Sequence, residues 1–164
     1  MKIGFLTDVD GYRAPIHPES IEKYSLDVHL EKNIFDYLNY ADSSQDNIKN
    51  ISNLSDLDIV ACVENIQDKS IKELKEGAVL IGIFDFDKIE EIKSLRPDIK
   101  VLSFFKLPRI SRAQNLDALS SQANLLGYAS VLRAAKETSD VVPMMTTAAG
   151  NIQPSKVLIL GELR

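Results

Sequence analysis

Short runs of aliphatic residues, unbroken by polar side chains, recur along the first two-thirds of the chain. The most continuous run is AVLIGIF at residues 78–84, and DIVACV at residues 58–63 has the same character. Strands that are apolar without alternation are buried on both faces, as in parallel sheets. Because segments with a helical pattern separate these runs, the sequence predicts an α/β domain.

The predicted strands and helices alternate regularly up to residue 105. We predict strands at residues 2–7, 27–32, 58–63, 78–84 and 100–105. The fold class that follows is a three-layer, doubly wound, mostly parallel sheet of flavodoxin-like or Rossmann-like type, formed by residues 1–105. A polar, turn-rich stretch at residues 42–58 is expected to lie outside the sheet.

Local signals mark where the predicted helices begin and end. Pro18 suits the first position of a helix, because its missing N–H would have no partner there. Asp68 is expected to cap a helix that stops at Gly77, and Asp87 with Glu90 resembles a capping box. A further short helix is expected at residues 33–41.

The character of the chain changes after residue 105. We divide the remainder into an Arg/Gln loop at 106–114, a long amphipathic helix at 115–138 and a linker with a final strand at 139–164. Ala123, Gly127 and Ser130 place small side chains on one side of the helix. This side is therefore a predicted surface for a homodimer, because small residues let another helix approach closely.

Composition excludes several classes of function. The 164 residues carry a net charge of −5, which argues against a broad nucleic-acid-binding surface. The one cysteine, Cys62, excludes an internal disulfide and a cysteine-rich metal site, so no metal is expected. No apolar stretch reaches the roughly 18 residues that cross a membrane. We expect the reducing cytosol as the compartment.

The loop PRISRAQNLDALSS, residues 108–121, has the most unusual composition in the chain. It follows a predicted strand and leads into the long helix, and ligands of open α/β sheets bind at such carboxyl ends. Arginine offers a forked donor, while glutamine and aspartate together can recognise an amide. The alternative is purely structural, since Asp117 would also stabilise the start of a helix.

The stretch LPRISRAQNLDALSSQANLLGYASVLRAA, with TTAAGNIQPSKVLILG after it, resembles the α subunit of proton-translocating NAD(P) transhydrogenase. Residues 1–105 are also similar to alanine dehydrogenase, though over shorter motifs. The resemblance implies that Arg109, Gln114, Asp117 and Ser120 contact NAD(H). It further implies that Gln114 and Arg109 take part in hydride transfer to NADP(H), by holding the two nicotinamides in place.

The amino-terminal half departs from the family pattern in two places. RAPIHPE retains Arg13, Pro18 and Glu19, so the resemblance gives Arg13 a role like that of a substrate-binding residue. His17 stands where the family has a threonine. It is either a helix-start residue with little effect on function or a functional histidine. Cys62 stands where alanine dehydrogenase has a carboxylate-binding lysine. We therefore expect no alanine dehydrogenase activity, and a core role for Cys62.

The last residues, KVLILGELR, depart furthest from the family. The resemblance implies a glycine-rich dinucleotide turn here, whereas Gly161 is followed by Glu162 and Leu163. We expect the NAD-binding domain to be missing, and the chain alone to be inactive and to bind NAD(H) weakly or not at all. Residues 156–160 are expected to pair as an edge strand or with a neighbouring molecule.

The resemblance also implies partners. These are a separate chain with the NAD-binding domain, and membrane transhydrogenase subunits that would hold this chain at the inner membrane. An alternative remains open, in which a truncated relative acts as a non-catalytic protein-interaction or dimerisation module.

Overall fold

The computed structural model describes residues 1–9, 13–24, 27–32, 34, 48–108 and 110–160. Within them the chain divides into two units, which begin at Met1 and at Asp117. The first unit contains β1 (Ile3–Phe5), α1 (Pro18–Tyr24), β2 (Val28–Leu30), β3 (Ile48–Asn50), β4 (Ile59–Ala61), α2 (Asp68–Glu73), β5 (Val79–Gly82), α3 (Phe86–Leu95) and β6 (Lys100–Ser103). The second contains α4 (Ala118–Glu137), β7 (Met145–Thr147) and β8 (Gly150–Ile152).

The first unit is built on a six-stranded parallel sheet in the order β3-β2-β1-β4-β5-β6. This is the order of the Rossmann fold, and it differs from the flavodoxin order. The predicted α/β class with a parallel sheet is therefore confirmed, in its Rossmann-like form.

Two hydrophobic clusters lie on opposite faces of the sheet. Phe5 of β1 packs with Ile21 of α1, whereas the next residue, Leu6, packs with Ile71 of α2 and Ile92 of α3. Successive side chains of a strand point to opposite faces. Helices therefore cover both faces, which gives the predicted three layers.

One strand was not expected from the sequence. β3, with the sequence Ile-Lys-Asn, lies at the edge of the sheet and pairs with β2. An edge strand has one solvated side and needs few apolar residues, so this segment lacks the continuous aliphatic pattern of the central strands.

The helix starts agree with the sequence at α1 and differ at the next two helices. Pro18 is the first residue of α1. Asp68 is the first helical residue of α2 rather than its cap, and Gly77 follows the helix with a φ of 70°. Asp85, not Asp87, caps α3, because its side chain accepts a hydrogen bond from the backbone N–H of Lys88. The helix expected at residues 33–41 falls almost wholly outside the described residues.

The second unit begins with the predicted long helix. α4 covers 20 residues and is followed by an antiparallel hairpin of β7 and β8. The edge strand expected at residues 156–160 does not form within the described chain, since this segment has no regular structure and its apolar side chains from Val157 to Leu160 are exposed. A strand needs a neighbour for its N–H and C=O groups, and no described strand pairs with this segment. Its pairing with a neighbouring molecule stays a prediction.

Candidate functional site

The Arg/Gln loop ends in a short 3-10 turn, Ser111–Leu116, at the end of the first unit. Ala113 is buried in this turn, whereas the neighbouring Gln114 is exposed. The turn therefore presents the amide of Gln114 to solvent. Arg109, the other predicted catalytic residue, lies outside the described residues.

Asp117 and Ser120 form the amino-terminal cap of α4 in the second unit. The Asp117 carboxylate accepts hydrogen bonds from the backbone N–H of Ser120 at 3.0 Å and from its hydroxyl at 2.6 Å. The structure thus joins two of the predicted NAD(H)-binding residues. This geometry also satisfies an N–H that would otherwise have no partner within the helix, so it is a complete cap in its own right.

Arg13 lies in an ion-pair cluster at the carboxyl end of β1, in which Asp8 is buried while Arg13 and Glu64 are partly exposed. Its guanidinium is 2.5 Å from Asp8 Oδ2 and 2.9 Å from Glu64 Oε2. The Asp8 side chain is fully buried, and its Oδ1 accepts hydrogen bonds from the backbone N–H groups of Glu64 and Asn65. Asp8 thereby ties the ends of β1 and β4 together.

The charge of Arg13 is already compensated by these two carboxylates. Burial acts to lower the pKa of Arg13, but the hydrogen bond to Glu64 and the charges of Asp8 and Glu64 raise the pKa above its ordinary value. A carboxylate ligand would therefore compete with two protein carboxylates for this guanidinium. The substrate-like role of Arg13 stays a prediction.

Cys62 and His17 occupy different surroundings. Burial, helped by the charge of Asp8, raises the pKa of the Cys62 thiol to about 12, so the thiol stays protonated at neutral pH. His17 lies at the start of α1, with its Nδ1 3.9 Å from a carboxylate oxygen of Glu19. The core role expected for Cys62 fits this burial.

A pocket of about 390 Å³ opens in the first unit at the carboxyl ends of the strands. Thr7 and Asp8 line it after β1, and Glu31 lines it after β2. Glu31 is held in place, since its Oε2 accepts hydrogen bonds from the Thr7 backbone N–H at 2.7 Å and the Thr7 hydroxyl at 2.6 Å. The pocket therefore has a fixed carboxylate at its edge.

Asp8, Glu31 and Glu64 were not predicted as site residues from the sequence. A signal existed, because each follows closely after a short aliphatic run, where the carboxyl ends of parallel strands meet at one edge of a sheet. Single acidic residues after a strand are common, however, and only their convergence in the folded chain distinguishes these three.

The described residues lack a metal-binding cluster and a membrane-spanning helix. They contain no group of three or more His, Cys, Asp or Glu side chains that could hold a metal ion. They also contain no helix that is both long and apolar enough to cross a membrane.

Known proteins similar to this chain agree on one family. The α subunit of NAD(P) transhydrogenase from Haemophilus influenzae is 46% identical over 96 residues, and an α-subunit chain of the same enzyme from Rickettsia prowazekii is 42% identical over 89 residues. A transhydrogenase crystal structure from Sinorhizobium meliloti superposes with a TM-score of 0.80 at 28% identity. No protein-family model matches the chain.

The chain is homologous to the transhydrogenase α subunit. The resemblance drawn from the Arg/Gln loop is thereby confirmed. The matches cover 57% and 53% of this chain, but 19% and 23% of the Haemophilus and Rickettsia chains. The structural match covers 94% of this chain and 50% of the Sinorhizobium chain. The chain thus spans about half the length of the Sinorhizobium chain and matches about a fifth of the length of each of the other two relatives.

Proposed function

We propose that this chain forms one side of the NAD(H) site of a transhydrogenase and positions the nicotinamide for hydride transfer to NADP(H). The observation that carries the proposal is the exposed amide of Gln114, three residues before the Asp117–Ser120 cap, in a chain homologous to the α subunit. In this role 106–114 is the NAD-contacting loop and 115–138 is the helix between domains. Residues 139–164 are the linker and the stub of the NAD-binding domain, which a separate chain would supply.

The residues present fit a carboxamide-bearing cofactor. The exposed Gln114 side chain offers both a donor and an acceptor, which is what an amide partner requires. The Asp117 carboxylate is fixed by two hydrogen bonds, so it adds negative charge at a defined position. When bound, NAD(H) supplies the hydride. Gln114, Arg109, Asp117 and Ser120 supply its placement.

The phosphates of NAD(H) require groups beyond those of this sequence. No G-x-G-x-x-G motif occurs in the 164 residues, so no glycine-rich turn cradles a pyrophosphate. We therefore propose that the isolated chain binds NAD(H) weakly and has no hydride-transfer activity. The partners would be an NAD-binding domain and membrane subunits, which would hold the chain on the cytoplasmic side of the inner membrane.

Titration with NADH, followed by the fluorescence of the nicotinamide, tests this division of roles. The chain alone should show Kd values at or above about 1 mM, corresponding to roughly −4 kcal/mol. Adding the NAD-binding domain of a relative should tighten binding, and Gln114→Ala should reduce that gain. Gln122→Ala, at an exposed position of α4, is the matched control. Micromolar NADH binding by the isolated chain would contradict the proposal.

A second function, dimerisation, is favoured by the surface of α4. Leu125, Leu126, Val131 and Leu132 are each more than half exposed. Exposed apolar surface of this kind marks interaction sites, and a second copy of the chain presents the same surface. We propose a homodimer through α4. Light scattering should give twice the monomer mass, and Leu125→Asp with Leu132→Asp should restore the monomer.

A further inference from the structure

The pocket in the first unit lies where a Rossmann sheet normally holds its ligand. In the order β3-β2-β1-β4-β5-β6, the chain reverses its direction of winding between β1 and β4. The crevice outside the carboxyl ends of the strands at that point is the general ligand position of open α/β sheets. The pocket of about 390 Å³ is formed by residues that follow β1, β2, β3 and β4.

The lining of the pocket is divided between apolar and polar groups. The aliphatic side chains that line it are Leu6, Ile51, Leu54 and Ile66. The polar and charged ones include Glu31, Lys32, Asn65, Gln67 and Ser70. A volume in this range, with an apolar wall and a few polar groups, suits a small organic molecule with a flat body and hydroxyl groups.

Glu31 is the group that indicates the class of ligand. It is the first residue after β2, and an acidic residue near this position in dinucleotide-binding sheets accepts a hydrogen bond from a ribose hydroxyl. Both of its hydrogen bonds from Thr7 reach Oε2. Among the described residues Oε1 accepts no hydrogen bond, so it is available to a hydroxyl donor in the pocket.

Anionic ligands are disfavoured at the same place. The sequence after β1 reads Leu-Thr-Asp-Val-Asp-Gly instead of a glycine-rich motif. Asp8 of this segment lines the pocket and is fully buried, while the nearby Arg13 is already paired with Asp8 and Glu64. A phosphate or carboxylate beside Asp8 would meet fixed negative charge at close range, which costs free energy in a poorly solvated site. Lys32 also lines the pocket, but it is exposed, so solvent screens its charge.

We propose that this pocket binds a nucleoside without phosphate, with its ribose hydroxyls on Glu31 and its base against the aliphatic wall. The site is separate from the Arg/Gln loop and does not depend on NAD(H) binding there. It would give the first unit a ligand of its own.

Calorimetric titration of the full chain with adenosine, 2′-deoxyadenosine and AMP tests the proposal. Adenosine should bind more tightly than the other two, because deoxyadenosine lacks the 2′-hydroxyl and AMP carries a phosphate. The expected loss for deoxyadenosine is about tenfold, the size of one hydrogen bond to a charged group. The loss for AMP should be at least about as large, because its phosphate meets the fixed negative charge of the pocket. The AMP titration also separates a free nucleoside from a nucleotide as the ligand.

Two variants locate the binding site. Glu31→Gln retains an acceptor for Thr7 but removes the charge of the side chain. It should weaken the binding of adenosine about tenfold or more. Ser70→Leu fills the pocket from α2 and should abolish binding even where Glu31→Gln fails to fold. Glu90→Gln, the same charge change at an exposed position of α3, should bind adenosine like the wild type.

The contradicting results are equally definite. Absence of adenosine binding to the folded chain would overturn the proposal, as would AMP binding as tightly as adenosine. Equal affinities for adenosine and deoxyadenosine would show that Glu31 does not bind the ribose 2′-hydroxyl. Unchanged binding in Ser70→Leu would show that the ligand lies elsewhere.

Discussion

Arg96 joins three parts of the first unit through one side chain. Its guanidinium donates hydrogen bonds to the carbonyl oxygens of Lys72 at 2.9 Å and Leu74 at 2.8 Å, which belong to the carboxyl-terminal turn of α2. It also pairs with Asp98 through Nε and a terminal nitrogen, each at 2.8 Å. The last carbonyl groups of a helix need such partners, so Arg96 substitutes for a conventional cap.

This pair makes stability depend on pH. The hydrogen bond from Arg96, with a weaker one from the Gly77 N–H, holds the pKa of Asp98 well below its ordinary value of 3.8. A carboxyl with a lowered pKa in the folded state contributes stability above its unfolded pKa, and the contribution is lost as pH falls. We therefore expect Asp98→Asn to be less stable than wild type near pH 7.

Urea unfolding at several pH values measures this effect. The difference in the urea concentration at the unfolding midpoint between wild type and Asp98→Asn should decrease as the pH falls from about 5 to about 2. The reason is that protonation removes the charge of Asp98 in the wild type and makes the two chains alike. Asp87→Asn, at an exposed position of α3, is the control, and its urea midpoint should change with pH as that of the wild type does. A constant gap across this range would show that the ion pair does not couple protonation to folding.

Cys62 provides a second prediction at the same scale. Burial raises the pKa of its thiol to about 12, and the nucleophile in alkylation is the thiolate. We expect iodoacetamide at pH 8 to label the native chain at least about a hundredfold more slowly than the urea-unfolded chain. Mass spectrometry follows the reaction. Equal rates would show that the thiol is accessible in the native state.

At the scale of elements, the start of α4 is the point where structural and functional roles meet. Asp117→Ala removes the acceptor for the Ser120 N–H, so it should reduce the stability of the helix by about 0.5–2 kcal/mol. Thermal melting followed by circular dichroism measures the change. Asp140→Ala, at an exposed position beyond the helix, is the control. Identical melting of the three chains would show that Asp117 is not needed as a cap.

The elements that could be predicted are those whose burial leaves a pattern in the sequence. β4 and β5 are central and covered on both faces, so their aliphatic runs mark them. β3 is an edge strand of Ile, Lys and Asn, and its pairing depends on β2 rather than on its own composition. The cap of α3 was misplaced by two residues because Asp85 and Asp87 could both serve its start. The cap of α2 was misplaced by one residue because Gln67 occupies that position without a capping side-chain hydrogen bond.

The candidate sites were predictable to different degrees. The loop with Gln114 and the Asp117–Ser120 cap carries an unusual local sequence, so the amino-acid sequence alone was enough to recognise it. The cluster of Asp8, Arg13 and Glu64 joins residues up to 56 positions apart. Only the order of the strands brings β1 beside β4, and that order cannot be derived from local patterns.

At the scale of the molecule, the chain combines a Rossmann-like unit with a second unit built on α4. The first holds Gln114 and a pocket of its own, and the second holds the Asp117–Ser120 cap and a large exposed apolar surface. We propose that the chain supplies the nicotinamide-positioning side of a transhydrogenase.

Hydride transfer from NADH to an NADP⁺ analogue by a chimera tests this claim most directly. In the chimera, this chain replaces the corresponding half of the Sinorhizobium meliloti transhydrogenase chain, assembled with its partner subunits. We predict activity well above that of the relative without this half, and a loss of about a hundredfold or more in Gln114→Ala, since placement of the reactants accounts for much of such catalysis. A chimera as inactive as the relative without this half, or a Gln114→Ala chimera as active as its parent, would contradict the claim.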